Sequence, residues 1–349
     1  MSILTQYYVL YMNSQSSFLS EGAISATPVI DASGNLYFGS TAAIFYSLDN
    51  SLGLRWVFHT GSSITASAAL GLDGSVFMGS KDGNLYCLDS TSGSFRWSFD
   101  TEGPVQSSPA LSPSGRLVYV GSDSFNMFAI RVDSGELKWS FRTNNAVISS
   151  PLVSAFGNGF IIFGSNDGYL YSVGANSGAL RWSYYVGGQL WSSPTLDANA
   201  SLVYVGSSTG EIHAITHNSG RFVWKRKLGG PVYSSPAVDV DGVMYIGCDD
   251  FHVYALSGVN GSVVWKANLN GKVRSSPAIT ANGRVIVGSF DGKLYCIGSG
   301  DFSDNVCLNN DAVRPYSSVD FTVVCASGCQ PGSGSEVLAN NTSPSPLLS

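Results

Sequence analysis

A tryptophan returns through this chain at an almost constant interval. Trp56, Trp97, Trp139, Trp182, Trp224 and Trp265 are separated by 41, 42, 43, 42 and 41 residues. A glycine keeps the same phase at Gly39, Gly79, Gly121, Gly164, Gly206, Gly247 and Gly288. So does a proline at Pro28, Pro109, Pro151, Pro194, Pro236 and Pro277, with Ala68 in the one position that lacks it. From each of the six tryptophans to the next proline position is 12 residues. A period of this length marks a chain built from copies of one supersecondary unit, none of which can bury its own faces alone.

Each unit reads as four short strands. In the second unit they are Ser67–Leu72, Ser75–Ser80, Asn84–Asp89 and Phe95–Phe99, divided by turns at Asp73-Gly74, Asp82-Gly83 and Ser92-Gly93. Runs this short, without a 3.6-residue period, exclude long helices. Four-stranded units that cover one another by radial stacking make a β-propeller. The fold class is therefore all-β, with seven blades of four antiparallel strands. The seventh unit runs through Val285–Ser289 and Leu294–Ile297, then stops before a fourth strand. At the other end, Ser16-Ser17-Phe18 through Glu21-Gly22 to Pro28 aligns without gaps on Trp97-Ser98-Phe99 through Glu102-Gly103 to Pro109. The N-terminal strand is thus expected to complete the last blade and close the ring, which would hide both sheet edges. Residues 1–13 form a leader segment, 14–300 the propeller, and 301–349 a cysteine-containing, largely disordered tail.

The unit Gly79-Ser80-Lys81-Asp82-Gly83-Asn84-Leu85-Tyr86-Cys87-Leu88-Asp89, followed by Gly93 and Trp97, closely resembles the PQQ-like (quinoprotein alcohol dehydrogenase-like) propeller repeat, as do Gly164–Tyr171 with Trp182 and Gly288–Tyr295. The resemblance implies that the glycine turn and Trp56, Trp97, Trp139, Trp182, Trp224 and Trp265 dock each blade onto its neighbour. Quinoprotein dehydrogenases that share this repeat hold the quinone on a tryptophan, under a disulfide between adjacent cysteines, beside a Ca²⁺ bound by Glu, Asn and Asp. No two cysteines are adjacent in this chain, and the Ca²⁺ set cannot be assembled. The resemblance therefore implies a member of the non-catalytic scaffold type, without PQQ, Ca²⁺ or another metal. Function follows the site rather than the fold, so two other readings stay open: a PQQ- or metal-dependent oxidoreductase, and the sensing ectodomain of a larger receptor.

Composition narrows the partners. Charged residues are 12% of the chain against a usual share of roughly 25%. A net charge of −6 leaves no basic field for nucleic acid, and no apolar run reaches the roughly 20 residues of a membrane-spanning helix. A soluble monomer that binds a protein or a glycan-like ligand is the expectation.

The repeat also sorts the chemically suggestive residues. Cys87 and Cys296 share a slot with Ser47, Ala129, Ser172, Ala214 and Ala255, so they read as small packing groups. His213 takes the slot of Tyr46, Tyr86, Phe128, Tyr171, Tyr254 and Tyr295, and reads as a core ring. No catalytic or cofactor-binding residue emerges. Binding candidates are the positions that vary inside a fixed frame. In "apolar–X–small–small–Pro", X is Ser25, Thr65, Gln106, Ile148, Trp191, Tyr233 and Arg274. Trp, Tyr and Arg are the residue types of binding hot spots. The turns between second and third strands should open on the same face. There the sixth unit offers Asp249, Asp250, Phe251 and His252, and the seventh Phe290. The expected patch on the loop face around the central channel comprises Gln106, Trp191, Tyr233, Arg274, Asp249, Asp250, Phe251, His252 and Phe290.

The ends speak to location. Glycosylation frames at Asn199-Ala200-Ser201, Asn260-Gly261-Ser262 and Asn340-Asn341-Thr342-Ser343 favour an extracytoplasmic or secreted protein. Met1–Asn13 has an apolar run but no basic n-region, which keeps a cytoplasmic alternative and the loss of a true start both open.

Overall fold

Between its turn glycines the chain has room for strands of two to six residues, and each pairs antiparallel with its sequence neighbour. The computed structural model describes residues 17–154, 159–197, 199–280 and 283–298, with the backbone of strands Val306–Cys307 and Thr322–Ala326. There is no helix among the described residues. The chain divides into two compact units, at Pro194/Thr195.

The first unit holds four sheets of four strands. The second of these is typical: Ala69–Leu70, Ser75–Gly79, Asn84–Asp89 and Phe95–Asp100, in sequence order across the sheet. The other unit holds three sheets, the fifth ending on the outer strand Phe222–Lys227 and the sixth on Val263–Asn268. Within each unit the apolar cores lie between consecutive sheets. Tyr119, Met127 and Trp139 of the third sheet, for example, pack with Ile161 and Phe163 of the fourth.

What joins one sheet to the next is the repeated indole. The outer strand carries a bulge opposite a register shift, between Cys87 and Leu88 in the second sheet and Ala129 and Ile130 in the third. Such a bulge re-aims the following side chain, which is the tryptophan. Its cross-strand partner is the small slot: Ser47 faces Trp56, Cys87 faces Trp97, Ala129 faces Trp139, and Ala214 faces Trp224. A large side chain there would occupy the indole's place. The ring then reaches the following sheet. Trp97 Nε1 donates to the Val132 carbonyl at 2.9 Å, Trp139 to Ala175 at 2.9 Å, and Trp224 to Gly258 at 2.8 Å. Gly135 lies under Trp97 at φ 73°, and a Cβ there would approach the ring to 2.8 Å. Glycine alone satisfies both the left-handed backbone and the close approach.

A second staple crosses the same junctions. Asp82 accepts a hydrogen bond from the Tyr86 hydroxyl at 2.9 Å and another from the Gly61 amide at 2.6 Å, in the loop leaving the preceding sheet. Asp167 does the same for Tyr171 and Asn144. Burial pushes the Asp82 carboxyl up, but the Asn84 and Gly61 amides and the Tyr86 hydroxyl outweigh it and hold the carboxyl below its ordinary value.

The termini depart from the sequence expectation. The fourth place in the seventh sheet, beside Lys293–Ile297, is held by Thr322–Ala326, which runs parallel to it. The N-terminal segment 14–20 was the expected occupant; Ser17–Ser20 form no strand, and residues 14–16 lie outside the described residues. The physical reason is an unpaired edge in the last sheet and a β-branched run, Thr322-Val323-Val324, downstream in the supposed tail. Val306–Cys307 pairs in turn on Thr322–Ala326, so two tail segments are strands. The alignment of the N-terminal segment nevertheless describes its contacts with the first sheet. Phe18 meets Tyr46 edge-on at 5.3 Å, as Phe58 meets Tyr86 and Phe99 meets Phe128, both at 5.4 Å. Ala23 accepts from the Thr41 amide just as Pro104 accepts from that of Asp123, both at 2.9 Å.

The indole should dominate stability. Trp139→Ala is expected to cost about 3–5 kcal/mol in urea unfolding, whereas Trp139→Phe should cost more nearly the ~1 kcal/mol of the lost hydrogen bond.

Candidate functional site

The frame that carries the variable residue X is built by close packing. A Cβ on Gly247 would come within 2.5 Å of Val273 Cγ1, and one on Gly79 within 2.3 Å of Val105 Cγ1. The apolar residue of the frame is therefore locked into the junction, and Val105, Val232 and Val273 are fully buried. X follows it and, in the two cases below, reaches a turn between second and third strands.

In the second unit this brings four of the candidates together. Arg274 donates from Nε to Asp249 Oδ1 at 2.9 Å and from Nη2 to Oδ2 at 2.7 Å. Its guanidinium lies 4.6 Å from the centre of the Tyr233 ring and 5.4 Å from that of Phe290. Lys272 Nζ adds an ion pair to Asp249 Oδ2 at 3.5 Å. The Asp249 side chain is only 6% exposed. Burial pushes its carboxyl up, but Arg274 and then Lys272 more than offset this and hold it below the ordinary value. The fork geometry fixes the guanidinium plane, and that plane is sided by aromatic rings. Phe290 remains 68% exposed, so the cluster is a pinned cation with an open aromatic rim.

Asp250 turns elsewhere. Its Oδ2 accepts from the Tyr254 hydroxyl at 2.6 Å and the Gly229 amide at 3.1 Å, which makes it a junction staple like Asp82. His252 stays beside it, its Nδ1 2.9 Å from the Asp250 carbonyl oxygen. Phe251 sits between them at φ 73° and 45% exposed. The matching turn positions in the second, fourth and fifth sheets are Gly83, Gly168 and Gly210, and in the first and third Ala43 and Phe125, all at positive φ. A bulky residue in that conformation costs of order 1–2 kcal/mol.

Gln106 and Trp191 belong to the first unit. Gln106 Nε2 donates to Asp123 Oδ2 at 2.8 Å. Burial keeps the Asp123 carboxyl above its ordinary value despite that bond and the Lys81 charge. Trp191 is 41% exposed. Sequence reasoning missed Lys272, whose only signal was its place two residues before Arg274.

The chemically reactive groups are enclosed. Burial pushes the Cys87 and Cys248 thiols up to about 12, far from a nucleophilic thiolate. His213 is buried; desolvation lowers its pKa although Glu211, 3.3 Å away, pulls the other way. Among the described residues no three His, Cys, Asp or Glu side chains group as a metal site. Nor is any helix there long and apolar enough to cross a membrane.

Four-stranded sheets joined by an indole on a glycine turn, together with the comparisons below, define a PQQ-like β-propeller repeat protein, with seven blades. The family model described as outer membrane protein assembly factor BamB matches residues 48–193 and 187–301, and the chain belongs to that family. Among solved structures, the crystal structure of BamB from Moraxella catarrhalis is similar over 78% of this chain and 84% of that one, with a TM-score of 0.65 and 21% identity. Comparison with curated protein sequences finds no match.

Two outcomes follow from the geometry. A carboxyl whose folded pKa is lowered stabilises fully above its unfolded pKa, and that contribution disappears as pH falls through the folded one. Asp249→Asn should therefore flatten the acid limb of a Tm-versus-pH profile. Phe251→Gly should raise stability by about 1 kcal/mol through relief of the left-handed strain, measured by urea unfolding.

Proposed function

We propose that this protein is a non-catalytic scaffold that recognises a protein partner through the hairpin face of its second unit. The observation that carries the reading is Arg274, held on Asp249 between Tyr233 and Phe290. Ordering an arginine before a partner arrives lowers the entropic cost of binding, and Arg with aromatic neighbours is the composition of interface hot spots. The name of the family, an outer membrane protein assembly factor, agrees with a role in holding proteins. It also agrees with an extracytoplasmic location, as do the exposed Asn199 and Asn260 in turns with glycosylation frames.

The reading needs no quinone. No two cysteines are adjacent in this chain, and Cys87, Cys248 and Cys296 are buried, which supports a reading without the adjacent-cysteine disulfide of quinoprotein dehydrogenases. The protein is expected to act as a monomer, with its aromatic rim free for the partner.

Co-purification from native material tests this. Phe290 is so exposed that Phe290→Ala should change stability by less than about 0.5 kcal/mol. A folded Tyr233→Ala, Phe290→Ala double variant should lose its protein partner, with a drop in affinity of about tenfold or more. Retention of the partner by that variant, or capture of carbohydrate alone, would overturn the proposal.

A further inference from the structure

The outer strand of the fifth sheet, Phe222–Lys227, ends in Lys225-Arg226-Lys227, three consecutive cations in a chain of net charge −6. No other outer strand in sheets one to six has such a run; its counterparts read LRWVFH, FRWSFD, LKWSFR, LRWSYY and VVWKAN. Between it and the outer strand of the sixth sheet lies an open cleft of about 460 Å³, lined by Arg226, Lys227 and Lys266 and by Tyr254, Val263 and Trp265. No carboxylate lines it.

The charges differ in what they have already met. Lys225 is paired with Glu211 at 3.1 Å, and Lys227 Nζ donates to the Thr209 carbonyl. Arg226 and Lys266 have no ion-pair partner among the described residues. Asp250, which bonds the lining residues Tyr254 and Gly229, accepts from both at Oδ2. Two uncompensated cations thus flank a floor of phenol and valine, Tyr254 and Val263. Phe222–Lys227 is also the edge of its sheet among the described strands, with main-chain groups available to an extended chain.

We infer that this cleft is a second docking site, independent of the Arg274 cluster, and that it takes an extended acidic peptide segment of a protein partner. Carboxylates of the segment pair with Arg226 and Lys266, while its alternate apolar side chains lie on Tyr254 and Val263. Alternation of the two kinds is what a strand presents to one edge and one face. Lysines on a sheet edge repel indiscriminate strand pairing, so only a segment of opposite charge is admitted. A nucleic acid would need a broader basic field than this chain has.

The test uses a fluorescently labelled peptide of alternating glutamate and valine, about eight residues long, followed by anisotropy. Saturable binding to the full chain that weakens as salt is raised is expected. The Arg226→Glu, Lys266→Glu double variant should bind at least about tenfold more weakly, and Arg226→Gln, Lys266→Gln should also bind more weakly if charge reversal compromises folding. Phe290→Ala should bind the peptide like the unaltered protein, which separates failure of this site from failure of the hairpin face. Absence of saturable binding, binding by both double variants as tight as that of the unaltered protein, or equal binding of a lysine–valine peptide would overturn the inference. So would a sulfated oligosaccharide that binds this cleft where the acidic peptide does not.

Discussion

Each sheet within a unit depends on an indole that leaves its own outer strand and settles on the next sheet. Three features must coincide for this. A bulge turns the tryptophan out of register, a small residue faces it across the strand pair, and a glycine at positive φ receives the ring. None is useful alone. An indole without the small slot would clash, and a small slot without the indole would leave a cavity. This coupling explains why the period survives while the residues between the fixed positions drift. Within each unit the apolar clusters lie between consecutive sheets, so stability there is held at the junctions.

The same regularity determined what could be read from the sequence. The four strands of a unit, their turns and the slot of Cys87 follow from comparing copies within the chain, because register in a repeat is shared. The structure adds the cause of that slot, since Cys87 is the cross-strand partner of Trp97. Contacts made by variable residues were legible only as a face. Gln106 and Arg274 both reach turn carboxylates, but Gln106 bonds Asp123 of its own sheet and Arg274 bonds Asp249 of the preceding one. No spacing distinguishes those choices. Asp249 and Asp250 are adjacent in sequence yet opposite in duty, one holding Arg274 and the other a junction. The divergence arises from alternate side-chain direction and could not be read from a single pair of letters.

The last sheet shows where the reasoning from repetition stopped. A repeat predicts what its own copies do, and the seventh copy lacks its outer strand. The chain filled that edge with Thr322–Ala326, a run whose β-branched residues were outweighed by the polar composition around them. Meanwhile Phe18 keeps the aromatic contact of its repeat equivalents, without being in a strand. Sequence phase located the contact correctly and misassigned the pairing.

The central claim is that recognition belongs to the hairpin face marked by Arg274 and Phe290. The most direct measurement places a photo-crosslinking amino acid at position 290, or at position 240 as a control, in the protein within its native setting. Val240 is highly exposed and lies between the first and second strands of the sixth sheet, at the opposite end from the Asp249 turn. The account predicts a discrete protein adduct from position 290 and none from position 240. The same adducts from both positions, or none from 290, would contradict it.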